Sequence, residues 1–127
     1  MKRTVRKVGF FAEFNPYTAK GNPSLRTAVQ TVPSPHEASI VAYLRGGRRG
    51  WVHYGKPNDV LAEEWTLIAG DAGCLNTDGT WVWPDELAHY VEKYHVRLPD
   101  EFVRFMEEHN FVPPPVETEE LEVEGWS

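Results

Sequence analysis

The side chains best suited to chemistry fall in four places. Arg45-Gly46-Gly47-Arg48-Arg49-Gly50-Trp51 gathers three guanidiniums beside an indole. Guanidinium forks match phosphate oxygens and an exposed Trp offers a stacking face, so the run could hold phosphate or single-stranded nucleic acid. The plainer reading is a glycine-stopped helix whose arginines complement its C-terminal dipole and solvate a loop. Glu86-Leu87-Ala88-His89 has the Glu-x-x-His spacing that sets two metal ligands on one helical face. A carboxylate-bridged site needs a second copy and the chain has none, so neither a metal nor a cofactor is expected. Cys74 is a candidate nucleophile with His53, His89 or His95 as base, although an isolated Cys on a strand beside Trp is more often a small core hydrophobe. Trp81 and Trp83, with Tyr90 and Tyr94 downstream, could floor a binding groove or anchor a protein partner; the competing role is core packing.

The positioning elements begin with a hairpin. Asp78-Gly79 lies between two strand-like runs and suits a two-residue type I′ turn, whose central residues both need φ > 0. That register sets Thr77 opposite Thr80, Asn76 opposite Trp81, Leu75 opposite Val82 and Cys74 opposite Trp83. Alternation then places Trp81 and Trp83 on one face and Leu75 and Val82 on the other, so both faces need cover. Pro84 is expected in the first turn of a helix, with Asp85 and Glu86 at its positive end and Leu87, Tyr90, Val91 and Tyr94 as its apolar stripe. Leu98-Pro99-Asp100-Glu101 repeats this start, and Phe102, Phe105, Met106 and His109 define a second stripe. The short linker 95–98 makes the two helices neighbours.

Upstream, a strand is expected over Val5–Phe11, loops at Asn15-Pro16 and Gly21-Asn22-Pro23, and a short helix capped by Ser24. Pro33-Ser34-Pro35 opens a further helix over 36–45, stopped by Gly46-Gly47. Strands follow at Trp51–Tyr54 and Trp65–Ala69, with a turn at 70–73. The fold class is α+β: a small, mostly antiparallel sheet, a helix pair after the Asp78-Gly79 hairpin, and further helices near 24–45. Residues 1–112 form one domain, and Pro113-Pro114-Pro115 heads an acidic tail, 113–127, whose Val116, Leu121, Val123 and Trp126 could dock as an edge strand or wrap a basic surface.

Composition narrows the class. Hydrophobic content of 41% over 127 residues is that of a chain able to bury a core. No apolar run is long enough to span a membrane, and Glu13, Asn15 and Pro16 break the apolar stretch a signal peptide would need. One cysteine rules out an internal disulfide. The net charge of −6 hides a split: residues 1–56 carry ten Lys/Arg against two acidic residues, and 57–127 carry three against seventeen. Such asymmetry points to an interaction surface, or to complementarity within the chain or across a homodimer.

Residues 77–102, from Thr77-Asp78-Gly79-Thr80-Trp81-Val82-Trp83-Pro84 through Leu87-Ala88-His89-Tyr90-Val91 to Phe102, resemble a segment that recurs in a family of small actinobacterial proteins of unknown function. Ser24–Val29 and Val41–Arg45 are similar to the same group. The likeness implies a cytoplasmic bacterial protein and carries no catalytic residue across. The expected function is a non-catalytic protein-binding module of the immunity, antitoxin or regulatory-adaptor type, its candidate contacts being Arg45, Arg48, Arg49, Trp51, Trp81 and Trp83. Two alternatives are a nucleic-acid-binding regulator using the basic N-terminal half, and a small enzyme with a site near His53 and Cys74.

Overall fold

The computed structural model describes residues 3–11, 24–52, 59–68, 74–117, 119 and 121–123, with Trp51, Val52 and Val123 as backbone only. The readings made for Asn15-Pro16, Gly21–Pro23, His53–Pro57, the 70–73 turn and Trp126 lie outside those residues. Five strands, β1 (Arg3–Lys7), β2 (Arg48–Val52), β3 (Cys74–Thr77), β4 (Trp81–Pro84) and β5 (Leu121–Val123), make one sheet in the order β2-β3-β4-β1-β5. Three helices, α1 (Glu37–Gly46), α2 (Leu87–Tyr94) and α3 (Asp100–Glu108), complete an α+β fold. The antiparallel half is β2-β3-β4; β1 pairs in parallel with both β4 and β5, so the sheet is mixed. No helix among the described residues is long and apolar enough to cross a membrane.

The hairpin forms two residues out of the expected register: Thr77 pairs with Val82, Asn76 with Trp83 and Leu75 with Pro84. The cause is Asp78. Its Oδ1 accepts the Thr80 and Trp81 N–H groups at 2.9 and 2.7 Å, and its Oδ2 accepts the Tyr43 hydroxyl at 2.6 Å. A side chain that captures two backbone donors moves the turn one residue on, to Gly79-Thr80, with Asp78 N–H donated to Trp81 carbonyl at 3.3 Å. Gly79, at φ +93°, supplies the one conformation that L side chains avoid. Because the shift is even, every side chain keeps its face.

Both faces are covered, as the alternation predicts. Trp81 and Trp83 meet Phe102 of α3 at ring separations of 5.2 and 5.4 Å, in the main core formed with Tyr43, Leu44, Leu87, Tyr90 and Met106. Leu75 and Val82 form a second, smaller core with Val5 and Leu121, against which Phe10 and Val116 pack. The segment read as an acidic tail therefore reaches the sheet: β5 pairs with β1, and Leu121 is buried.

Several boundaries move for local reasons. Pro84 closes β4 instead of opening a helix, because the next amide, Asp85, donates to Cys74 carbonyl at 3.0 Å and extends the ladder. α2 starts three residues later. β1 stops at Lys7, short of Phe11, and β2 begins at Arg48, so two arginines read as loop lie on a strand. Residues 65–68 are not a regular strand: Trp65 and Leu67 are exposed while Ile68 is buried. Ser24 caps a 3-10 turn at Leu25–Thr27 by accepting the Arg26 N–H.

Candidate functional site

The structure separates the six residues singled out in the sequence. Arg45, in the last turn of α1, makes a two-pronged ion pair with Glu92 of α2, at 3.1 and 3.3 Å. Arg48 and Arg49 are exposed on β2, opposite Thr77 and Asn76, and a bulge follows before Trp51 meets Leu75. Trp81 and Trp83 are core, which corrects their reading as a groove floor. Trp83 is 0% exposed, with its indole N–H donated to Leu44 carbonyl at 3.0 Å, and the Arg6 guanidinium lies 4.5 Å from the Trp81 ring centre. Cys74 is half-buried at the start of β3. The Glu86-x-x-His89 pair is not a ligand pair either, since Glu86 is buried and His89 is engaged by Asp59.

Asp59 is the centre of a buried polar network among the described residues and was not singled out in the sequence. It is 1% exposed. Its Oδ2 accepts His89 Nε2 and the Tyr94 hydroxyl, both at 2.8 Å, with Lys93 Nζ at 3.5 Å, while its Oδ1 accepts the Leu61 N–H at 2.9 Å. Burial alone would raise its pKa, but the donors from His89, Tyr94 and Leu61 outweigh it and hold the carboxyl below its ordinary value. The next residue, Val60, donates its N–H to the Tyr90 hydroxyl at 2.9 Å, and burial pushes that phenol up to about 12. Chemically the network clamps the 59–68 segment to α2. The signal for it was a lone Asp ahead of apolar Val60-Leu61, with His and Tyr repeating at 89, 90 and 94 on the helix.

Two open clefts flank the loop between α2 and α3. One, of about 560 Å³, runs between the 30–35 loop and α3, with Val32, Pro35, Ile40, Val91, Val96 and Val103 as its apolar wall and Arg97, Asp100, Arg104 and Glu107 around it. The other, of about 540 Å³, has Val8, Phe10, Phe11, Ala28, Leu98 and Pro99 along it and Lys7 at its edge. Arg97-Leu98 and Asp100 belong to both. Backbone bonds fix this shared wall: Arg97 N–H donates to Ala28 carbonyl at 2.8 Å and Gln30 N–H to Tyr94 carbonyl at 3.2 Å. Val32, at 63% exposure, stands at the first cleft with its side chain uncovered. Neither cleft is lined by a His or a Cys.

Compared with protein-family models, curated proteins and solved structures, the chain gives no match.

Proposed function

We propose that the chain is a non-catalytic binding module for another protein, acting in the bacterial cytoplasm as an immunity, antitoxin or adaptor component. The observation that carries this reading is the pair of clefts about Arg97–Asp100: apolar walls, charged borders and an exposed Val32 suit a partner's apolar anchor better than a polar metabolite. The acidic balance, −6 overall with seventeen Asp/Glu in residues 57–127, favours steering of a basic partner. The nucleic-acid reading draws less support, since Arg45 is spent on Glu92 and the remaining arginines lie on a strand. The enzyme reading rests on His53, which lies outside the described residues, and on Cys74.

The test is affinity capture from the native host with the wild-type chain and with Val32→Glu and Val103→Glu, each checked for folding by circular dichroism. The proposal expects one stoichiometric protein, retained in moderate salt by the wild type and released by either variant. No stoichiometric partner at low or moderate salt, or capture indifferent to both substitutions, would count against it.

A further inference from the structure

α3 ends at Glu108, and the chain then passes through two consecutive left-handed residues, Asn110 at φ +54° and Phe111 at φ +56°. Asn tolerates that conformation; an aromatic residue rarely adopts it. Phe111 is held there by its N–H donated to Met106 carbonyl at 2.8 Å and by its ring against His36 at 5.5 Å, itself left-handed at φ +60°. Residues 112–117 then run without regular structure through Pro113-Pro114-Pro115, a stiff extended spacer. At its far end β5 pairs three residues in parallel, Arg3 with Leu121, Thr4 with Glu122 and Val5 with Val123. The Thr4 hydroxyl donates to Glu122 at 3.2 Å, and Val116 and Leu121 close the small core over Val5, Leu75 and Val82.

We infer that residues 112–123 are an exchangeable arm, and that a second copy of this chain is a partner for β1: two molecules trade arms and form a closed, two-fold dimer by strand exchange. The occupant is named by the structure, because the acidic strand that fits the basic strand Arg3–Lys7 is the chain's own β5. In the exchanged dimer each β1–β5 ladder and each small core is rebuilt from two chains, so no contact at the site is lost. The hinge at 110–111 is released from its left-handed turn, giving up the Phe111 bond to Met106 carbonyl and the His36 ring contact as its strain is relieved. A strained turn in front of a swappable strand is a hinge that such exchange relaxes. The opposing cost is the lost freedom of a second molecule, so the dimer depends on concentration. The inference is independent of the clefts.

The test uses full-length Thr4→Cys and Glu122→Cys chains, each in a Cys74→Ser background, mixed in equal amounts. They are refolded together at moderate salt, which screens repulsion between two copies of net charge −6. In unexchanged monomers these thiols sit on different molecules and meet only in chance collisions, whose yield each chain alone measures. Strand exchange predicts a covalent heterodimer on treatment with a short thiol cross-linker, well above either chain alone. Sedimentation should show a dimer-to-monomer ratio that rises about tenfold per tenfold rise in concentration while the dimer is the minor species. The doubly substituted chain, Thr4→Cys with Glu122→Cys, must cross-link within itself when dilute, which shows that the pairing survives the substitutions. A mixture that gives no heterodimer above its controls, a dimer that forms without this cross-link, or a double variant that fails to close would each overturn the inference.

Discussion

At Gly47 the backbone is extended, φ −65° and ψ 159°, a conformation open to any residue. What demands glycine is the Trp83 ring: a Cβ at position 47 would lie 2.6 Å from it, and 3.2 Å from Thr77 carbonyl. At Gly46 the nearest atom is a Pro113 ring carbon at 3.5 Å, an ordinary contact. Gly47→Ala is therefore expected to cost about 1–3 kcal/mol by overpacking the main core, while Gly46→Ala leaves stability nearly unchanged; urea unfolding of the two variants decides it. Glu86, 2% exposed, makes the second residue-scale prediction. Burial and the charge of Asp85 together push its pKa from 4.5 up to about 7, against the pull of a backbone hydrogen bond. The folded protein thus keeps a proton that the unfolded chain releases near pH 4.5. The stability this proton linkage preserves is whole below that pH and falls as pH rises toward about 7, by up to about 3 kcal/mol. Glu86→Gln removes that fall, so the gap between variant and wild type in urea midpoint should open between pH 5 and pH 8. A gap that is constant across this range would show that Glu86 does not titrate there.

Among the elements, the β3–β4 hairpin and β5 carry the weight. Asp78 ties the loop to α1 through Tyr43 and satisfies two backbone donors, so Asp78→Ala orphans the Thr80 and Trp81 amides and loosens the α1 contact. A loss of about 2–4 kcal/mol is expected, with the hairpin amides exchanging first in hydrogen-exchange measurements. Leu121→Asp tests the other face: a charge in the small core should cost about 3 kcal/mol or more and expose Val5, Leu75 and Val82, read as a lowered Tm. If 113–127 were an undocked tail, that substitution would be silent. The comparison also shows what a sequence carries. Face assignment at Leu75, Trp81, Val82 and Trp83 was legible because side-chain alternation survives any even change of register. The register itself was not, because it depends on a carboxylate meeting Tyr43, thirty-five residues away. α1, α2 and α3 were readable from their stripes, Pro and Gly signals. The parallel pairing of β1 was not, since nothing local specifies which strand a basic Val5-centred run will join.

For the whole molecule, the charge split is partly spent inside the chain: Arg6 pairs with Glu101 and Arg45 with Glu92, each joining a base of the first half to an acid of the second, while His95 and Glu37 meet with the signs reversed. The first two pairs are exposed and add little to stability, so their loss should change Tm only slightly. The candidate site was less legible than the fold. The arginine run and the tryptophans drew attention by residue type, whereas the clefts are made by unremarkable residues, Val32, Pro35, Ile40 and Val103, brought together from 30–40 and 96–107. Only the tertiary arrangement turns such residues into a surface.

We propose that this surface, on both sides of Arg97–Asp100, receives a protein partner. Hydrogen exchange of the chain alone and in its captured complex measures it most directly. The account predicts slowed exchange confined to residues 28–35 and 96–107. Protection centred instead on Arg48–Val52, or no change at the α2–α3 loop in a complex that does form, would contradict it.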